Sequence, residues 1–349
     1  MGHVEPEATI QNWRERLQDT ADEAAGHLGK LPFVRGVVLA GSVARGDVWP
    51  LSDVDFIVVW NPARFADVKN WLSREEAMFN AWLEKQGNPN EVDWANFLTE
   101  QKLTTQLAEA GESEFWALMN DPWNLRLCDM LWASYVMVDH DSGITRLHKK
   151  IQERRFDQRM MDIRTKSAMT RTRKLLKEAR MSLDTANAVR ACRSIFLAGG
   201  EILRGLYDLH GKQHTSPRRM VSRLGRIVEQ GQWQPAFQQA LRLLRLDPES
   251  VEKRMALCPE EIVRAFKLNW TLREAIGEPV DQMGVMQDSL HYETQVALRS
   301  MQGECPAWCG LPQTPEETRK TISILNTVGE SALCGTTFGT ASDESITEG

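Results

Sequence analysis

Two aspartates separated by one residue, Asp53 and Asp55, precede the apolar run Phe56-Ile57-Val58-Val59. In an extended chain alternate side chains share a face, with Cα atoms about 7 Å apart. Both carboxylates therefore point the same way. That separation suits metal ions roughly 3.5–4 Å apart, the spacing of two-metal phosphoryl-transfer sites. Hard oxygen donors favour Mg²⁺, which takes one or two carboxylates and completes its shell with phosphate and water. Aspartate is depleted in strands, so a pair at the mouth of a core strand requires neutralisation, by a metal or by a nearby arginine. Upstream lies Gly41-Ser42-Val43-Ala44-Arg45-Gly46. A Gly-Ser turn exposes backbone N–H groups to close approach by an anion, and the Ser42 hydroxyl can donate to a phosphate oxygen. Arg45 lies where it could reach the same anion; a surface arginine is the alternative reading.

These residues must be held by the elements around them. Apolar spacing over residues 8–29 (Ile10, Trp13, Leu17, Ala21, Ala24, Leu28) predicts a helix, stopped by Leu31-Pro32. Residues 34–42 read as a buried strand ending in a small-residue turn, and 46–53 as a loop. A second strand spans 53–60, an amphipathic helix 63–86, and a third strand 91–97 (Glu91-Val92-Asp93-Trp94-Ala95-Asn96-Phe97). Another strand is expected within 133–143. The order predicts an α+β domain with a small mixed sheet. From about residue 146 the pattern is helical almost throughout, which predicts an all-α helical bundle. The last residues, 336–349, are small, polar and acidic, and read as a flexible tail.

The stretch GSVARGDVWPLSDVDFIVV (41–59) resembles the signature of the polymerase beta-type nucleotidyltransferase superfamily. It is most similar to the bacterial branch of antibiotic nucleotidyltransferases and minimal nucleotidyltransferases of toxin–antitoxin pairs. The resemblance implies a nucleotidyltransferase domain at 1–145 and a helical acceptor-binding domain at 146–335. It implies that Gly41 and Ser42 hold the triphosphate and that Asp53 and Asp55 hold the metals. A third carboxylate then arrives from a neighbouring strand and serves as the base for the attacking hydroxyl. Asp93 is the candidate; Glu91, on the same predicted strand face, competes with it. The implied chemistry is Mg²⁺-dependent transfer of a nucleoside monophosphate, AMP from ATP or another NTP, to an acceptor hydroxyl. The acceptor expected is a small molecule such as an aminoglycoside-like compound, with acidic residues of the helical domain, Glu260 and Glu261 among them, to hold a polycation. AMP transfer to a protein or RNA partner is the alternative.

Composition bounds the reading. At 349 residues two domains are expected, and a formal charge of −6 disfavours a protein that coats nucleic acid. The N-terminus is polar and acidic with no apolar run, and no stretch reaches the roughly 20 apolar residues that span a bilayer; a cytoplasmic protein is the expectation. Cys305 and Cys309 are spaced like half of a zinc site, but no second pair lies near, so unliganded thiols are expected. The Lys/Arg-rich stretch 149–180 reads as a solvated helix face or as a positive wall for triphosphate or RNA. Arg204 and His210 fit the spacing of helical RNase domains, although a helix C-terminus explains His210 as well. Trp49, in the loop before Asp53, could stack on a ligand or pin the loop.

Overall fold

The computed structural model describes residues 12–46, 48, 50, 52–63, 67–141, 143–212, 217–229, 231–278, 281–300, 306–312 and 314–334. Trp49, Cys305 and the tail 336–349 lie outside the described residues. Two compact units divide the chain, Met1–Met160 with Leu272–Glu278, and Met161–Thr271 with Pro279–Gly349.

The first unit opens with α1 (Trp13–Gly29), whose apolar stripe of Trp13, Leu17, Ala21, Ala24 and Leu28 is buried. That three- and four-residue spacing is what a core-facing helix requires. Strand β1 (Val34–Leu39) follows, then the short helix α2 (Gly41–Arg45) and strand β2 (Val54–Trp60). Helix α3 (Val68–Lys85) leads to β3 (Val92–Asp93) and β4 (Leu98–Glu100). Helices α4 (Gln101–Glu109), α5 (Glu112–Leu118) and α6 (Pro122–Trp132) precede β5 (Tyr135–Asp139) and α7 (Gly143–Arg154).

The sheet runs β3-β2-β1-β5, and β4 also pairs with β2. Strand β1 is antiparallel to β2 and β5, whereas β3 and β4 run parallel to β2. It is the small mixed sheet expected of the sequence. Consecutive residues Val37 and Val38, and Phe56 to Val59, are all buried, so both faces of the central strands are covered, which explains their unbroken apolar runs.

One strand departs from its expected form. The third strand predicted at 91–97 is interrupted: Val92 and Asp93 pair with Val54 and Asp55, and pairing resumes only at Leu98 opposite Val58. The partner offset grows from 38 to 40 between those points, so two extra residues bulge from the edge of β2. The side chain of Trp94 is fully buried, and its indole N–H donates to the Leu72 carbonyl at 3.0 Å. Burying that ring outweighs continuing the ladder.

The second unit is helical. Most of α8 (Gln158–Asp184) belongs to it, followed by α9 (Ala188–Leu209), α10 (Met220–Val228), α11 (Gln234–Leu243), α12 (Pro248–Leu257), α13 (Glu260–Ala275) as far as Thr271, α14 (Gln282–Ser300) and α15 (Pro315–Cys334). Helix α9 lies at its centre, with Ile195, Ile202, Leu203 and Leu206 fully buried. A Cβ at Gly205 would stand 2.6 Å from Leu333 of α15, so glycine permits that close approach. Among the described residues no helix is long and apolar enough to cross a membrane, and no disulfide joins the cysteines.

Candidate active site

The carboxylates sit where β2 leaves the loop that precedes it. Asp53 lies just before the strand and is exposed, while Asp55 is its second residue and half-buried. Asp93 lies directly opposite Asp55 in the parallel β2–β3 pair. Neighbouring strands are about 4.8 Å apart, so the two carboxyl groups face the same small space. Glu91 takes a different place: its backbone carbonyl accepts the Val54 N–H at 2.8 Å, and its exposed side chain precedes the strand. Of the two residues in competition, the register therefore aligns Asp93 with Asp55.

Glycine at 41 is required by this arrangement. Gly41 has φ +68°, and a Cβ there would fall 1.8 Å from Oδ2 of Asp55. The Asp55 carboxylate thus packs against the bare Cα at the start of α2. The Ala40 N–H donates to the Asp55 carbonyl at 2.8 Å, which ties the helix start to the strand. The N-cap residue of α2, Ala40, has no side chain that could cap the first N–H groups of the helix. Ser42 and Arg45 are both half-buried on this helix.

The clustering has an electrostatic consequence. Burial, and then the nearby charges of Asp53 and Asp93, push the Asp55 carboxyl up to about 7, against the opposing pull of Arg45. Asp93 uses Oδ2 to accept the Asn96 side-chain N–H at 3.1 Å, and its Oδ1 is buried without a hydrogen-bond partner. Like charges forced together, with one buried carboxylate oxygen unpaired, form a site that a hard cation would relieve. Among the described residues no group of three or more His, Cys, Asp or Glu forms a ready-made metal cage. Mg²⁺ does not require one, since phosphate and water complete its shell.

Residues that sequence reasoning missed hold the site in place. Asn90 is buried and donates to the carbonyls of Pro50 (2.9 Å) and Ser52 (3.0 Å), and its own carbonyl accepts from Arg16 at 3.0 Å. It thereby fixes the loop that delivers Asp53. On α3, Asn80 and Glu76 bond to the backbone around Asp93. Their signal in the sequence is a polar pair inside an apolar stripe: Leu72, Glu76, Asn80 and Leu83 fall on one side of the helix.

The remaining sequence candidates take part in contacts within their own units. Arg204 pairs with Glu201 at 2.8 Å, and His210 caps the C-terminus of α9. Six residues apart, the two are about 120° apart around the helix axis. In the basic stretch, Lys150 donates to the carbonyls of Leu107, Ala108 and Ala110, Arg154 pairs with Glu112, and in the second unit Arg171 pairs with Glu201 and Arg173 with Glu330. These cations serve internal contacts. Glu260, expected to help hold an acceptor, is exposed and pairs with Arg264.

A family model described as a nucleotidyltransferase domain matches residues 23–113, a span that includes α1 from its middle, the Gly-Ser helix and all three aspartates. No curated protein and no solved structure matches the chain. The match supports nucleoside monophosphate transfer in general and implies a nucleoside triphosphate substrate.

Proposed function

We propose that the protein transfers AMP from ATP to a hydroxyl on a small molecule, an aminoglycoside-like compound, by in-line displacement at the α-phosphate. The observation that carries this reading is the register of Asp93 with Asp55, beside a glycine that admits the Asp55 carboxylate. In this reading Gly41 and Ser42 hold the triphosphate through a backbone N–H and the serine hydroxyl. Arg45 offsets charge on the pyrophosphate as it leaves. Asp53 and Asp55 would hold Mg²⁺, which when bound supplies neutralisation of the phosphate oxygens. Asp93 takes the proton of the acceptor hydroxyl as the oxygen–phosphorus bond forms and the bond to pyrophosphate breaks. Positioning and charge neutralisation carry most of the rate in such transfers.

The test is incubation of the protein with α-³²P-labelled nucleotides and Mg²⁺ in a cell extract, beside the Asp53→Asn/Asp55→Asn variant. Label on a small molecule, with wild type alone, is the expected result. Label on protein or RNA would replace the proposed acceptor with a macromolecule. Equal labelling by wild type and variant would remove the carboxylates from the mechanism.

A further inference from the structure

Strand β3 is two residues long, too short to hold its own register against β2. In a parallel pair alternate residues turn their N–H and C=O away from the partner strand, and here that residue is Val92. Both of its outward groups are met by one side chain: Asn80 donates Nδ2 to the Val92 carbonyl (3.0 Å) and accepts the Val92 N–H (2.8 Å) at Oδ1. The carboxamide stands in for a neighbouring strand. One turn earlier on α3, a single oxygen of Glu76, Oε2, accepts the N–H groups of both Trp94 (2.5 Å) and Ala95 (2.7 Å). Asp93 is thus bracketed, with its preceding peptide fixed by Asn80 and its following two by Glu76.

Glu76 is an expensive choice for this task. It is half-buried, and burial together with the charge of Asp93 pushes its carboxyl upward, against the two backbone bonds that hold it down. A polar pair on the buried side of a helix, satisfied only by the backbone flanking one aspartate, has its evident use at that aspartate. We infer that Glu76 and Asn80 are positioning residues that clamp Asp93 opposite Asp55, so that the rate of proton removal from the acceptor depends on them although neither touches substrate.

The inference rests on the nucleotidyl-transfer reading for its kinetic part and on backbone geometry alone for its structural part. The test uses the full chain and the variants Glu76→Ala, Glu76→Gln, Asn80→Ala and Asp93→Asn. Amide hydrogen exchange, without nucleotide or metal, should show Val92 exchanging at least tenfold faster in Asn80→Ala, and Trp94 and Ala95 at least tenfold faster in Glu76→Ala. Glutamine keeps an acceptor oxygen, so Glu76→Gln should stay within about threefold of wild type. In the labelling assay Glu76→Ala should lower the maximal rate at least tenfold while the KM for nucleotide changes less than threefold, and Glu76→Gln should restore most of the rate. Unchanged exchange at these amides in both alanine variants overturns the clamp, and so does a Glu76→Gln protein as slow as Glu76→Ala. If wild type labels no acceptor, the transferase reading fails while the exchange data still decide whether Asp93 is clamped.

Discussion

At the start of α2 a carboxylate oxygen of Asp55 lies against the bare Cα of Gly41. Gly41 and Gly46 both have positive φ, +68° and +70°, but among the described residues a Cβ at Gly46 meets nothing within 4 Å. Alanine at position 46 should therefore cost only the backbone term, about 1–2 kcal/mol. Alanine at 41 pays that term and must also displace Asp55, so it should be clearly less stable in urea and lose labelling activity, which Gly46→Ala should retain. Equal stability of the two variants would mean that Asp55 does not pack on Gly41. The same carboxyl gives the metal-free protein a pH signature. Its folded value is about 7, against the ordinary aspartate value of 3.8. Between those values the folded chain binds a proton that the unfolded chain has released, so stability falls as pH rises from about 4 to about 7 and then levels. A shift of that size corresponds to roughly 4 kcal/mol. Asp55→Asn removes the slope, so its advantage over wild type in urea denaturation should be larger at pH 8 than at pH 5. The same advantage at both would show that Asp55 ionises as an ordinary surface aspartate.

Among the elements, those with a strong period were legible in the sequence, and those decided by a single distant contact were not. The apolar stripe of α1 and the buried runs of β1 and β2 announce themselves, because each is repeated over several residues. The break after Asp93 does not, since Glu91 to Phe97 alternates well enough for one strand and the contacts that turn Trp94 away lie 18 and 22 residues back, at Glu76 and Leu72. That Asp53 and Asp55 lie close together followed from their spacing, although Asp53 stands just before the strand rather than in it. Their supports were not legible, because a polar residue gains a role only from where its partner backbone goes. Asn90 illustrates the point: it follows a Gly-Asn-Pro turn, where asparagine is ordinary, yet it is buried and ties together three segments. Asn90→Ala takes away the buried donor that the Pro50 and Ser52 carbonyls share, and should cost about 2–4 kcal/mol by chemical denaturation. A cost below about 0.5 kcal/mol would mean that water replaces the side chain there.

At the scale of the whole molecule, two separate cores mark the two units. The first gathers residues from Trp13 to Ala95, with Val138 and Ile276 packed against it, and the second gathers residues from Ala168 to Leu333. The first unit is discontinuous, because the chain returns to it at Leu272–Glu278 after completing much of the second. A fragment ending at residue 160 therefore lacks Ile276 and leaves its packing partners exposed. It should melt below the intact chain, with faster amide exchange in α1 and β1; equal protection would show the returning segment to be dispensable. The same discontinuity sets an order of events during synthesis. Residues 161–271, about 110 in number, must be translated before the last piece of the first unit exists, a delay of roughly 6–20 s at ordinary elongation rates. For that interval the three aspartates have already left the ribosome on a unit whose core still lacks Ile276. A newborn chain of this protein thus acquires its charged site first and its full protection last, which makes the sheet the stretch that a chaperone would meet.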